Sequence, residues 1–302
     1  DDSAPLWQIR ARKTTHDSAA QQLYFEHAQL RVLDVPILWL PRLRLPDPTL
    51  KRATGFLIPR LKQNSQLGLG LKMPYFIRMG DHRDLTLTPY LSQETSTLEW
   101  RYRQAYRSGG ITFEGALSED SLAADTRGYL FGEGRFDLPK GYQLSFNIEA
   151  VSDPSYLLDY GYSGKDRLQS DITVSRVKRD EYIQGSLIHF QSLRDGEDNS
   201  ELPTIIGDLT YEKRLHPKGL GGEVTLSLQS HSHYRYSDSV DLGRDVSRAN
   251  AELSWQRNWT LPAGILAQLQ GGVALDGFRL DQTSGVDQAT GITPEASLTL
   301  RW

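Results

Sequence analysis

Apolar and polar residues alternate along most of this chain, and a period of two is typical of β-strands. Residues 66–79 show it most strictly, because one face would carry Leu67, Leu69, Leu71, Met73, Tyr75, Ile77 and Met79. The same alternation recurs in residues 97–106, 142–150 and 248–255. We find no segment of useful length with the helical period of about 3.6 residues. The pattern predicts an all-β protein whose antiparallel strands follow one another through turns.

The length and the two faces of these strands leave two all-β classes open. In residues 97–106, apolar Leu98, Trp100 and Tyr102 alternate with charged Glu99, Arg101 and Arg103. A transmembrane antiparallel β-barrel would have such faces, one toward lipid and one toward a wet lumen, on spanning strands of about 9–11 residues. Soluble sandwiches also alternate, but their strands are usually shorter, about 5–6 residues. Strand length favours the barrel, and the sandwich remains the alternative.

Composition narrows the function without deciding between these classes. The 302 residues are 38% hydrophobic with a mean hydropathy of -0.49. No run approaches the roughly 18 apolar residues of a membrane helix. A net charge of -4 does not indicate nucleic-acid binding. Because cysteine is absent, this sequence offers no disulfide and no thiolate metal site. We expect no nucleic-acid partner and no cofactor.

The sequence offers few candidate catalytic or metal-binding residues. The sequence contains no GxSxG motif, no HExxH motif and no phosphate-binding loop, so no catalytic residue is predicted. His231 and His233 lie two residues apart on one strand face, a spacing that suits metal binding. Because no third ligand is evident, we interpret them as solvated histidines and predict no metal site.

Prolines mark two regions of the chain. Pro74 lies in the middle of the strand predicted at residues 66–79, although the alternation continues on both sides of it. Proline lacks the N–H donor and is normally confined to sheet edges and bulges, so this strand should pair weakly. Nearer the start, Pro36, Pro41, Pro46 and Pro48 punctuate the chain, as expected at a domain boundary.

Three stretches together resemble the LptD family (Imp/OstA), the outer-membrane barrels that assemble lipopolysaccharide. They are residues 25–46 (FEHAQLRVLDVPILWLPRLRLP), 51–59 (KRATGFLIP) and 68–78 (GLGLKMPYFIR). Shorter matches are DLTLTP at residues 84–89, VSDPSY at residues 151–156, and Arg248 with Trp255. Thr54 stands where serine is usual in the family, and the family's disulfide cysteines are absent.

The resemblance implies two domains and a transport path. Residues 1–50 would end a periplasmic β-jelly roll that binds lipopolysaccharide, and residues 51–302 would form the first part of a large outer-membrane β-barrel, with about fourteen strands. Pro59 and Pro74 would weaken a lateral gate between the first and last barrel strands. Lipopolysaccharide would leave through this gate into the outer leaflet, passing Leu38, Trp39, Leu57 and Tyr75. The protein would lie in the outer membrane of a Gram-negative bacterium, with its N-terminal part in the periplasm.

Such transport makes and breaks no bond, so the resemblance implies that the protein is not an enzyme. Its partners would be lipopolysaccharide, an LptE-like plug lipoprotein in the lumen, an LptA-like periplasmic bridge protein and the barrel-assembly machinery. One alternative is a passive porin of about fourteen strands, which would lack the jelly-roll strands and the mid-strand proline. Another is a barrel enzyme such as a lipase, which needs a Ser/His/acid set that the sequence does not supply.

Overall fold

A computed structural model describes residues 7–19, 22–32, 34–47, 52–240, 242–285 and 287–302. The chain divides into two compact units, residues 1–104 with 114–126 and residues 105–113 with 127–302. Both consist almost entirely of antiparallel strands. Within the described ranges, helical structure is limited to one turn, α1 (Tyr156–Asp159), and two 3-10 turns. The predicted all-β fold class is confirmed.

A small sheet opens the first unit. Its strands are β1 (Trp7–Arg10), β2 (Lys13–Asp17), β3 (Gln22–Val32) and β4 (Val35–Pro46). The long β3 pairs with β2 through its first half, with β1 through its last residues, and with β4 along its other edge. Pro36 and Pro41 lie inside β4 rather than between elements. β4 tolerates them because β3 is its only pairing strand among the described residues, and edge strands can lack donors.

A local kink turns one side of β4 into a continuous apolar surface. Leu40 pairs with Ala28 and Leu43 pairs with Phe25, so a regular strand would send these two leucines to opposite faces. Between them lies Pro41, and on β3 His27 has a φ of 52°. Because of this unusual backbone, the apolar side of β4 changes from even-numbered residues before Pro41 to odd-numbered residues after it. The register between β3 and β4 stays the same across this point.

The second part of the first unit starts with an interrupted hairpin, residues 55–78. Its four strand segments are β5 (Gly55–Phe56), β6 (Arg60–Asn64), β7 (Gly68–Lys72) and β8 (Tyr75–Arg78). They are followed by β9 (Arg83–Leu91), β10 (Thr95–Tyr106) and β11 (Gly109–Asp120). Residues 105–113, the end of β10 and the start of β11, belong to the second unit. β5 pairs with β8 and β6 pairs with β7, whereas β9 pairs with both β7 and β8. The prediction of one unbroken strand over residues 66–79 is therefore wrong, because the strand stops at Met73 and Pro74.

Burial in this unit is reversed with respect to a soluble sheet. Asp84 is 2% exposed and Thr97 is 4% exposed on the polar face of β9 and β10. Leu98, on the apolar face of β10, is 45% exposed. A sheet that buries its polar face and exposes its apolar face is expected where the outer surroundings are lipid. The distribution favours the membrane class over the soluble sandwich.

The second unit is built from long strands that pair in sequence order. They are β12 (Arg127–Asp137), β13 (Tyr142–Val151), β14 (Arg167–Lys178), β15 (Glu181–Ser192), β16 (Ile205–Leu215), β17 (Glu223–Tyr234), β18 (Asp245–Thr260), β19 (Leu266–Asp281) and β20 (Gln288–Arg301). Apolar residues are exposed on these strands too, as at Leu187, Leu209, Leu253 and Leu275. From residue 52 onward the described ranges contain sixteen strand segments, and four of them, β5 to β8, belong to the interrupted hairpin.

The connections in the second unit differ at the two ends of the strands. Residues 138–141, 179–180, 216–222 and 261–265 connect the strands at one end, and residues 152–166, 193–204, 235–244 and 282–287 connect them at the other, where three of the four connections are longer than any at the first end. Two of the short turns share the pattern Leu-Pro-x-Gly, with a positive φ of 64° at Lys140 and 66° at Ala263. Short turns at one end and long loops at the other are the arrangement of outer-membrane barrels.

Candidate functional site

An apolar cavity of about 400 Å³ lies within the first unit. The small sheet contributes Leu38 and Leu40 from one side of the β4 kink and Leu43 and Leu45 from the other. Because the kink changes the apolar side at Pro41, all four leucines reach the same space. The cavity is therefore lined on this side by aliphatic carbon, which favours an apolar occupant over a hydrated one.

The other wall of the cavity is the interruption in the hairpin. Residues 56–59, together with Met73 and Pro74, line it. Phe56 pairs with Tyr75 and Arg60 pairs with Lys72, so three residues on one strand oppose two on the other. This is the geometry of a β-bulge, in which one extra residue bends the strand and disrupts the ladder. The bulge places residues 56–59 against the cavity.

Missing backbone donors weaken the ladder at the same place. The N–H of Leu57 donates to the carbonyl of Pro74 at 2.8 Å, but Pro74 has no N–H to return a bond. On the other edge, the N–H of Met73 donates to the carbonyl of Pro89 at 3.1 Å, and Pro89 likewise has no donor to return. Each pair thus keeps one of its two possible bonds. Pro89 was not singled out from the sequence, although its place in the DLTLTP match was a usable signal.

The six residues predicted for the gate and the lipid path fall into two groups. Pro59, Pro74, Leu38 and Leu57 line the cavity. Trp39 points away, is 54% exposed, and lies against the His27 ring at 5.8 Å. Tyr75 also lies outside the lining, and its ring packs edge-on against Phe56 at 4.9 Å. Their roles in transport stay predictions.

Charged residues cluster on the polar face beside the interrupted hairpin. The carboxylate of Asp84 forms ion pairs with Arg52 and, at 3.0 Å, with Arg103. On β7, Lys72 is paired with Glu99. These carboxylates are shielded from solvent, and removing either partner of a buried pair costs more than making the pair gains. The arrangement anchors the continuous strands β9 and β10 next to the weakened hairpin.

The histidine pair of the second unit lies in a hydrogen-bonded row. His231 Nδ1 is 2.7 Å from an Asp208 carboxylate oxygen, and its Nε2 is 3.3 Å from His233 Nδ1. Within the described ranges, no group of three or more His, Cys, Asp or Glu residues is placed to hold a metal ion. The row links neighbouring strands β16 and β17 on their polar face.

A second buried network closes the loop after β13. The Arg127 side chain is 5% exposed and forms a bidentate pair with Asp153, at 2.7 and 2.9 Å, and a further bond to Asp159 at 2.7 Å. Asp153 also accepts the backbone N–H of Tyr156 at 3.0 Å, which starts α1. Asp153 and Pro154 are thus part of a folded loop held to the first residue of β12.

This network should be sensitive to acid. Hydrogen bonding from Arg127 lowers the pKa of Asp153 from 3.8 to about 2. A carboxyl with a lowered pKa contributes its full stability above its ordinary pKa and loses it as the pH falls toward the lowered value. We expect the loop at residues 152–166 to resist pepsin at about pH 4 and to become cleavable as the pH approaches 2.

Asp153→Asn should make the loop cleavable already at pH 4, with little further change on acidification. Asp166→Asn is the matched control, because Asp166 pairs with Arg194 at the surface and should leave the loop resistant. A pH-independent cleavage pattern in the unmodified protein would contradict the prediction.

No helix of the described segments has the length and apolar character needed to cross a membrane. Around β9 and β10 the sheet buries polar residues and exposes apolar ones, and the connections of the second unit are mostly longer at one end of the strands than at the other. This burial and these connections, with an apolar cavity beside an interrupted hairpin, place the chain in the class of all-β outer-membrane proteins.

Comparison with known proteins gives the family. The model of the family LPS transport system D (LptD) matches residues 125–301, more than half of the chain, and a second family, LptD protein, matches residues 23–130. The chain belongs to the LptD family. Its two kinds of sheet agree with the β-jelly roll and the β-barrel parts of that family.

Several curated relatives carry the name LPS-assembly protein LptD. The protein of Idiomarina loihiensis is 26% identical over 86% of this chain and 34% of its own length. That of Alkalilimnicola ehrlichii is 29% identical over 63% of this chain and 26% of its own. That of Yersinia enterocolitica is 29% identical over 51% of this chain and 21% of its own. The chain thus spans about a third or less of the length of these relatives.

Proposed function

We propose that this chain is the part of a lipopolysaccharide transporter in which the substrate leaves the jelly roll and meets the first strands of the barrel. The observation that carries the proposal is the cavity shared by the apolar side of β4 and the interrupted hairpin. Acyl chains need a dry, aliphatic surface along their whole path. This cavity extends such a surface from the small sheet to the bulge.

The interrupted hairpin is suited to be one side of a lateral gate. Pro74 removes one of the two bonds of the Leu57 pair, and the bulge at residues 57–59 shortens the ladder further. In addition, β6 has a pairing strand on one edge only among the described residues. We propose that the last strand of the whole barrel pairs weakly with this edge. The acyl chains would then enter the outer leaflet while the sugars pass through the polar lumen.

The same proposal sets the chemistry, the partners and the orientation. Transport of this kind is non-enzymatic, because the lipid is moved without being altered. An LptE-like plug lipoprotein, an LptA-like bridge protein and the barrel-assembly machinery are the proposed protein partners. The short turns of the second unit would face the periplasm and its long loops the cell exterior. Residues 1–50 would then lie in the periplasm, and residues 51–302 would begin the barrel.

The cavity is harder to explain if the protein is a passive porin. A porin conducts small solutes through an aqueous lumen and gains nothing from an aliphatic cavity beside its first strands. The four leucines of β4 and the bulge at residues 57–59 would have no role in such a channel. The cavity therefore favours lipid transport.

Photo-crosslinking tests the proposal directly. A photo-reactive residue at Leu38 or Leu57 of the full-length protein, in cells, should trap lipopolysaccharide because both side chains line the cavity. Trp39 is the matched control, since it is the next residue of the same strand and points away. It should trap little or none. Trapping of protein alone at both Leu38 and Leu57 would contradict the proposal.

A further inference from the structure

One charged residue lines the apolar cavity. Among the described residues that line it, Arg60 is the only one that carries a charge. No hydrogen bond or ion pair to its guanidinium is found in the described part of the chain. Arg52 and Arg103, in the same unit, both pair with Asp84. An exposed guanidinium at the rim of an aliphatic space can therefore bind a ligand without first losing a partner.

The residue directly across the hairpin is also a cation. Arg60 pairs with Lys72 in the β6–β7 ladder. Like charges directly opposite each other on adjacent strands are destabilising. The Lys72 ammonium is paired with Glu99, and no carboxylate among the described residues is paired with the Arg60 guanidinium. A bound anion beside Arg60 would supply a counter-charge.

We infer that Arg60 binds a phosphate group of the glycolipid whose acyl chains occupy the cavity. This inference rests on the proposed function and adds a headgroup subsite to it. A guanidinium presents two parallel N–H donors that match the oxygens of a phosphate, which gives orientation as well as attraction. With acyl chains against the leucines of β4 and a phosphate on Arg60, the lipid would be held with its headgroup at the bulge, where the hairpin is weakest.

The test uses the full-length protein in vesicles, with a photo-reactive residue at Leu57. Two probes are compared: lipopolysaccharide with its lipid A phosphates, and the same lipopolysaccharide after removal of those phosphates. Arg60→Ala should lower trapping of the phosphorylated probe about tenfold, the usual scale for losing a charge-assisted hydrogen bond. It should leave trapping of the dephosphorylated probe unchanged. Arg60→Lys should retain part of the difference, because it keeps the charge and loses the two-pronged geometry.

Arg101→Ala is the matched control. Arg101, on β10, is also exposed and without a hydrogen bond or ion pair in the described part of the chain, but it does not line the cavity. The Arg101→Ala variant should trap both probes as well as the unmodified protein does. An equal loss of both probes in Arg60→Ala would overturn the inference, since Arg60 would then act by packing. So would undiminished trapping of the phosphorylated probe.

Two further outcomes separate this inference from the proposed function. If a phosphatidic acid probe competes as well as lipopolysaccharide and the competition depends on Arg60, the subsite binds phosphate of any lipid and the glycolipid assignment fails. If neither lipopolysaccharide probe is trapped at Leu57 in the unmodified protein, the proposed function itself fails, and the headgroup subsite fails with it.

Discussion

Replacing Pro59 and Pro74 together by alanine is expected to reduce the delivery of lipopolysaccharide to the cell surface without reducing the amount of assembled protein. Alanine at position 74 restores an N–H opposite Leu57, whose own N–H already donates to this residue at 2.8 Å. A net hydrogen bond contributes about 0.5–1.5 kcal/mol in water, and an unpaired backbone group costs more in lipid. The restored ladder should favour the closed hairpin by about tenfold, since 1.4 kcal/mol corresponds to that factor.

The single variants should differ in strength. Pro74→Ala should have the larger effect, because its new donor faces a defined partner in the ladder. Pro59→Ala should be milder, since Pro59 lies in the bulge and its donor meets no regular register position. Surface lipopolysaccharide and sensitivity to bulky antibiotics measure the outcome. Pro294→Ala, in β20 and outside the cavity lining, is the control. Normal export in the assembled double variant would mean that these prolines are ordinary strand breakers.

Arginine in place of Leu253 is expected to lower the free energy of unfolding by about 2–4 kcal/mol, the cost of a cation facing lipid near the bilayer midplane. Leu253 lies in the middle of the sixteen-residue strand β18 and is 49% exposed. On a soluble protein such an exposed position would tolerate the change within about 0.5 kcal/mol. The size of the loss therefore reports what surrounds the apolar face. Denaturant titration of the full-length protein in lipid vesicles measures it.

Ser254→Arg is the matched control for this prediction. Ser254 is the next residue of the same strand, so its side chain points to the opposite, polar face. The same arginine should be tolerated there, because that face is expected to be wet. Equal stability of the two variants would remove the lipid-facing assignment of Leu253.

The alternation of side chains could be predicted because it depends on local geometry alone. Successive residues of a strand point to opposite faces whatever the strand pairs with. Residues such as Leu98 and Glu99 were therefore assigned to different faces correctly, and the all-β class followed. What alternation does not contain is which face is buried. That depends on the surroundings of the whole sheet, and the structure buries Asp84 while it exposes Leu98.

The candidate site was predictable only in part. The resemblance pointed to Pro59 and Pro74, and both line the cavity. Leu38 and Trp39 were predicted together, but adjacent strand residues face opposite sides, and only Leu38 reaches the cavity. The role of Pro89 and the position of Arg60 beside Lys72 depend on strand register. Register joins residues that are distant in sequence, so local patterns do not reveal it.

The strand period, the two chemical faces, the absence of cysteine chemistry and the family signature could all be read from the amino-acid sequence. Each of these follows from residue identity or from the geometry of a single strand. The kink at His27 and Pro41, which turns the four leucines of β4 to one side, became visible only in the folded chain. The same holds for the bulge in which residues 57–59 lie opposite Met73 and Pro74. A cavity is made by surfaces from separate segments, and their meeting is set by long-range pairing.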